Sequence, residues 1–368
     1  MTEWYEIENI NDIDTPALVV YPDRARKNIE TAIKMVKDVA LLRPHVKTNK
    51  SKDACQLMLT SGITKFKCAT IAEAEMLGSI NAPDVLLAYQ PTGPKILRLI
   101  QLIKKYRDTH YSCLVDNNES AREIAAQAIN AGLTIPVFID VNVGMNRTGI
   151  VPGQKALELY ELCGDTNGIQ PLGLHLYDGH ITDTDLSVRE KRSAEAFEMV
   201  DWLRAGIQKK FPEPTIIAGG SPSFPVHAKK GTVQCSPGTF IYWDAGYLQK
   251  YPEQKFIPAA LVVSRIISLP NETTICADLG HKSVSAENQI THRVQLLNAP
   301  GLEILGQSEE HLVLKADAGH TYKVGDVLYG IPWHICPTCA LYERALTVEG
   351  NNVTGEWKTI ARDRKINV

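Results

Sequence analysis

The chain has 368 residues, 44% of them hydrophobic and 22% charged, with a formal net charge of -3. That composition suits a sizeable globular core and, lacking long basic runs, excludes nucleic acid or another polyanion as the expected partner. The acidic start "MTEWYEIENINDIDTP" is no signal peptide, and no window approaches the roughly 20 apolar residues of a membrane span, so a cytoplasmic protein without a membrane partner is expected.

From residue 17 to about 243, β-rich apolar runs alternate with segments of helical period. "ALVVY" (17–21) precedes a helix in which Ala25, Ile29, Ala32 and Val36 recur at three to four residues, and "VALL" (39–42) precedes a helix over 53–60. "KFKCAT" (65–70) leads into "IAEAEML", and "DVLLAY" (84–89) into "PKILRLIQLIKKY", where Pro94 sits near the helix start and its missing N–H costs little. "YSCLV" (111–115) leads into "ESAREIAAQAINAG", and "IPVFIDV", "QPLGLHL", "PTIIAG" and "GTVQCS" complete the series. Continuous apolar strands of this kind belong to a parallel sheet covered on both faces. Their number and spacing predict an α/β fold, a (β/α)8 TIM-type barrel over 15–250. An open doubly wound sheet is the runner-up, but the first turn carries no G-x-G-x-x-G. After residue 255 the runs become short, β-rich and separated by Gly, Pro, Asn and Asp. They predict a C-terminal all-β domain over 251–368, with a polar linker at "QKYPEQKF" and the 1–14 segment joining that domain.

The eight cysteines sit mostly in apolar segments of a chain without an export signal and are read as thiols. Catalytic groups of such a barrel lie on the loops after its strands. "RPHVKTNK" (43–50), "NVGMNRTG" (142–149), "YDGH" (177–180), "GGSPS" (219–223) and "SPGTF" (236–240) all fall there. The two glycine stretches offer backbone N–H groups and hydroxyls suited to a phosphate. A lysine at the same mouth could then join a phosphorylated aldehyde such as pyridoxal 5'-phosphate (PLP) as a Schiff base. In the β domain, "PWHICPTCALYE" makes His334, Cys336 and Cys339 candidate metal ligands.

"DTPALVVY", "RPHVKTNK", "VGMNRTG", "GGSPS", "SPGTF", "DLGHKSVS" and "PWHICPT" occur in an order that resembles the D-threonine aldolase and D-serine dehydratase family, PLP enzymes of fold type III with an alanine racemase-like barrel. The resemblance implies Lys47, not Lys50, as the PLP lysine and Arg147 as the cation facing the PLP phenolic oxygen. It places Tyr177 against the pyridine ring and makes Gly220, Ser221, Gly238 and Thr239 the phosphate cradle. It also implies one divalent ion, Mn2+ or Zn2+, held by His334 and Cys336, with Cys339 in the core or behind the ligands. His175 and His180 are expected to be structural, and Lys47 and His334 to be catalytic. A metal next to PLP has a purpose when the substrate carries a β-hydroxyl to polarise. The implied activity is therefore a homodimeric lyase on D-β-hydroxy amino acids, D-threonine aldolase ahead of D-serine or D-3-hydroxyaspartate dehydratase. An alanine racemase would need a tyrosine where this chain reads "ADLGHKSVSAE", and a non-catalytic PLP carrier would lack the β domain and its metal pair.

Overall fold

In the computed structural model, which describes residues 3–368, the first apolar run forms β1 (Ala17–Val20). This strand, expected to open the barrel, belongs to the second sheet described below. The barrel strands are β2 (Lys65–Cys68), β3 (Asp84–Leu87), β4 (His110–Val115), β5 (Ile135–Val141), β6 (Ile169–Leu176), β7 (Thr215–Ala218) and β8 (Gln234–Cys235). They pair in parallel in sequence order, β2 to β8.

The eighth stave is not the expected strand at 39–42. Val39–Leu41 is a turn of 3-10 helix capped by Asp38, and none of its residues is buried. The chain straightens only after it, where Leu42 bridges Cys235 and His45 bridges Lys67. Arg43 and His45 donate backbone N–H groups to the carbonyls of Cys235 and Pro237, and Val46 donates to that of Lys67. Residues 42–46 thus close the ring between β8 and β2. Arg43, 2% exposed, locks the stave with a bidentate pair to Asp84 and a bond to Gln234.

Local chemistry sets the helices between the staves. Thr70 caps Ile71–Gly78, Asn117 caps Asn118–Asn130 and Asp185 caps Leu186–Ile207, each accepting an early backbone N–H. Pro94 is the first residue of Pro94–Lys105, which buries Ile96, Leu99, Ile100 and Leu102 on one face. Burial of such side chains contributes roughly 1.5–3 kcal/mol each. Inside the ring, Leu86, Leu114, Phe138 and Ile217 form one apolar cluster.

The chain divides into two compact units: the barrel, Ala32–Lys47 with Cys55–Gly238 and Asp363–Val368, and a second unit made of the chain up to Thr31, Thr48–Ala54 and Thr239–Arg362. In the second, β9 (Ala260–Asn271), β10 (Thr274–Ala277), β11 (Val294–Leu296), β12 (Glu303–Gln307), β13 (Leu312–Lys315), β14 (Val327–Pro332), β15 (Arg344–Glu349) and β16 (Asn352–Lys358) join β1 in a nine-stranded mixed sheet. β1 runs antiparallel to β9 and parallel to β15. All four β1 residues are buried, and Val19 packs in one core with Ile7, Ile13, Leu261, Val263 and Tyr329. Near the N-terminus, Glu8 donates its N–H to Asn351, and Ile7 to the Tyr329 hydroxyl.

The polar stretch expected to link the domains lies inside the second unit, whose last segment begins at Thr239, and it starts in the end of the helix Ala245–Lys250 with its Tyr251 and Phe256 buried. The expected all-β texture over 251–368 is interrupted by a short helix, Ile335–Leu341, and the same unit also holds the short helix Ala245–Lys250, which was expected in the barrel. Among the described residues no disulfide forms, and no helix is long and apolar enough to cross a membrane.

Candidate functional site

The stave at 42–46 ends in a turn that presents Lys47, partly buried, with its N–H donated to His45 Nδ1 at 3.3 Å. Across the barrel mouth, Tyr177 directly follows β6. The Arg147 guanidinium lies 4.8 Å from the centre of its ring, and Lys67 Nζ lies 5.8 Å from it. The Arg147 loop is held by Asn142 Oδ1, which accepts the N–H groups of Gly144 and Asn146.

The two glycine stretches meet beside Tyr177. Gly219 has φ +80°, a conformation that side chains rarely adopt, and a Cβ on Gly220 would lie 3.2 Å from Tyr177 Cε2. Gly238 donates its N–H to Ser221 Oγ at 3.3 Å, tying the second stretch to the first. Asp178 organises the turn from below, accepting from Ser223 Oγ and meeting His227 Nε2, both at 2.7 Å. Its burial would raise its pKa, but the bond to His227 and the neighbouring groups keep it below the usual carboxylate range. Ser236 Oγ is buried in this region without a hydrogen-bond partner. A primary amine, backbone N–H groups on a surface free of Cβ atoms and a waiting hydroxyl fit PLP.

Beneath the mouth lies a buried polar chain. Lys67 Nζ meets His175 Nε2 at 3.4 Å, and His175 Nδ1 meets Asp140 Oδ1 at 2.8 Å. Gln90 then bridges Asp140 to Asp116 at 2.9 Å each. Burial, and next the Lys47 ammonium, bring the Lys67 pKa down to about 7. Burial and Lys67 likewise lower that of His175.

The second unit holds the His-x-Cys stretch. Ile335–Leu341 starts directly after His334, and buried Asp244 accepts the Ile335 N–H at 3.1 Å. Burial lifts the Asp244 pKa to about 6. A hydrogen-bonded ring clamps His334. Its Nδ1 meets Glu287 Oε1 at 2.5 Å, Glu287 Oε2 accepts from Ser285 Oγ, Ser285 donates its N–H to Thr338 Oγ1 at 3.1 Å, and that hydroxyl donates to the His334 carbonyl at 2.9 Å. Burial would lower the His334 pKa, but bonding to Cys336 and to Glu287 carries it up to about 9. Thr48 and Thr239 approach Cys336 Sγ at 3.0 and 3.5 Å. Cys339 is buried, which pushes its thiol up and makes it a poor ligand. Among the described residues no three His, Cys, Asp or Glu side chains converge on a metal position. His334 and Cys336 would therefore form a two-donor site, and imidazole with thiolate fits Zn2+ better than the oxygen-preferring Mn2+.

Lys47, Arg147, Tyr177, Gly220, Ser221 and Gly238 thus all lie in the barrel unit, whereas Thr239, His334 and Cys336 lie in the mixed-sheet unit. Thr239, expected in the phosphate cradle, keeps company with Cys336. His175 belongs to the Lys67 chain, and His180 packs on Gly144. Lys67, Asp140, Asp178, Glu287 and Asp244 were not singled out from the sequence. Only Lys67 left a trace: a lysine in a strand covered on both faces, two residues after another lysine.

A family profile described as "Alanine racemase, N-terminal domain" matches residues 20–245, and one described as "Putative serine dehydratase domain" matches 259–348. The chain is 27% identical over 361 residues to a D-threonine aldolase of Arthrobacter sp, covering 95% of this chain and 93% of that one. It is 24% identical over 375 residues to a D-threo-3-hydroxyaspartate dehydratase of a Delftia species, covering 94% and 97%. A solved D-threonine aldolase from Filomicrobium marinum superposes with a TM-score of 0.86 at 26% identity, covering 95% and 96%.

Proposed function

The chain belongs to the alanine racemase N-terminal domain family, and on that premise we propose that it is a PLP- and divalent-metal-dependent lyase of D-β-hydroxy amino acids. Cleavage of D-threonine to glycine and acetaldehyde is the leading reaction. The observation that carries the reading is the pairing of functions in one chain: an amine, Lys47, with a glycine cradle in the barrel, and an imidazole beside a thiol, His334 and Cys336, in the second unit. When bound, PLP supplies an electron sink for the substrate's Cα, and a divalent ion supplies a Lewis acid for its β-hydroxyl.

The chain's own residues do the rest. Lys47 anchors the cofactor and, once released, is the amine that can take a proton from substrate. Arg147 and Tyr177 orient the ring, with the guanidinium a fixed positive charge. Gly220, Ser221 and Gly238 would hold the phosphate by turning to it the N–H groups and hydroxyl that meet Ser223, Ser221 and Gly238 in this structure. Glu287 holds His334 Nδ1, which leaves Nε2 as the metal donor. By analogy with the resembling enzymes the working form is a homodimer, which light scattering tests directly.

Dehydration of D-serine or D-3-hydroxyaspartate is the second reading, favoured by the match of residues 259–348 to the serine dehydratase domain. Incubation with PLP and Zn2+ or Mn2+ separates the two. Glycine and acetaldehyde from D-threonine support the aldolase; ammonia with 2-oxobutanoate or pyruvate supports the dehydratase. Turnover of none of these substrates by PLP-loaded protein overturns both.

A further inference from the structure

A fully buried lysine is an expensive residue unless an anion meets it, because removing an ammonium from water costs several kcal/mol. Lys67 is 2% exposed, and its Nζ meets a ring nitrogen instead of a carboxylate. It is fixed by backbone: Lys67 pairs with His45 in the closing stave, two residues before Lys47. The groups acting on it are Lys47, Asp178, Asp140 and Arg43, with His175 in contact and the Tyr177 ring beyond. Arg43 is committed to Asp84 and Gln234, and Asp178 to Ser223 and His227. Asp140 acts on Lys67 by its charge, while its hydrogen bond goes to His175 Nδ1. The remaining freedom is one proton shared between the Lys67 amine and the His175 Nε2.

We propose that Lys67 and His175 form a one-proton reservoir for Lys47. The proposal rests on Lys47 being the cofactor lysine. An ammonium cannot attack an aldehyde, so Lys47 must first lose a proton. In the proposed step that proton passes from Lys47 Nζ to the neutral Lys67 Nζ and is shared with His175 Nε2, while Asp140 stays ionised. The freed Lys47 lone pair then forms the C–N bond, and the aldehyde oxygen departs as water with the two hydrogens left on Lys47. When that bond is broken and Lys47 regains its charge, the proton returns. No oxidant or further reactant is consumed. The amine of Lys67 suits the task because burial and the Lys47 charge hold it near neutrality at physiological pH.

The test measures the rate at which protein freed of PLP regains the visible absorbance of lysine-bound PLP, between pH 6 and about 9.5, a window that brackets Lys67 and stops short of the ordinary lysine pKa of about 10.4. For the unaltered chain the rate should level off above about pH 7. In Lys67→Met the rate at pH 7 should fall at least about tenfold, the size of effect expected of a positioned base, and climb steadily with pH. Lys67→Arg keeps a charge but cannot accept a proton, so it should be slow as well. A fast Lys67→Arg would reduce Lys67 to a fixed charge and overturn the reservoir, as would an unchanged profile in Lys67→Met. If Lys67→Met does not fold, judged by thermal unfolding, the profile is read on His175→Gln, where loss of the imidazole that shares the proton should move the plateau to lower pH; an unmoved plateau overturns the proposal. Borohydride reduction with peptide mass mapping distinguishes this failure from that of the function. PLP absent from Lys47 breaks the function reading, whereas PLP arriving on Lys47 of Lys67→Met at the unaltered rate breaks only the reservoir.

Discussion

Two histidines in this chain face a carboxylate through Nδ1, and they titrate in opposite directions. In the barrel, His175 meets Asp140 at 2.8 Å with both side chains almost wholly buried, and its pKa falls. In the mixed-sheet unit, His334 meets Glu287 at 2.5 Å with 45% and 47% of the side chains exposed, and its pKa rises to about 9. The carboxylate does not decide the outcome. Desolvation and the Lys67 amine overrule it in the first case; an additional bond to Cys336 reinforces it in the second. One unit therefore keeps an imidazole neutral among amines, suited to moving protons. The other keeps an imidazole beside a thiol, suited to exchanging protons for a metal.

The sharpest break between the units should come from single substitutions. Lys47→Ala should abolish both turnover and the visible absorbance of lysine-bound PLP, measured after PLP addition and gel filtration. His334→Ala should abolish metal binding and turnover while leaving that absorbance intact, as read by elemental analysis beside the same spectrum. Loss of bound PLP in His334→Ala would contradict the division of labour.

The pH dependence of unfolding gives the next largest effect. Lys67 binds its proton more weakly folded, at about 7, than unfolded, at 10.5. The unfolded chain thus holds more protons in that window, and stability rises with pH through it, by on the order of a few kcal/mol. Denaturant titrations of Lys67→Met should show this rise flattened. His334 has the opposite sign in the metal-free protein. Its folded pKa is raised, so its contribution is complete below 6.5 and lost as pH climbs through about 9. Solvent exposure keeps that contribution small. Glu287→Gln should have the most graded effect, weakening Zn2+ binding by about 10- to 100-fold in a competition titration with a chelator, because the amide holds His334 less firmly. Unaltered affinity would remove Glu287 from the metal pair's support.

Much of this was legible in order along the chain. Alternating apolar runs and helical periods predict the parallel barrel, and the later short runs predict the β-rich second unit; both are local patterns. The opening run "ALVVY" misleads because four buried apolar residues look alike in either sheet, and only pairing with β9 and β15 assigns them. "VALL" misleads because its apolar residues stay partly exposed in a 3-10 turn, while the stave is the less apolar "RPHV" that follows. Likewise "QKYPEQKF" looks like a linker because its polar letters outnumber the buried Tyr251 and Phe256.

By itself the sequence determined which residues offer chemistry: an amine at Lys47, glycines at 219–220 and 238, and the His334–Cys336 pair. Their types and spacings are written in the chain. The tertiary structure alone decided the protons of the groups around them and of His334. Lys67, His175 and Asp140 lie on three strands far apart in sequence, as His334 and Glu287 lie on separate segments of the other unit. A pKa depends on the water removed and the charges within a few ångströms, and both are set only when distant strands are laid side by side.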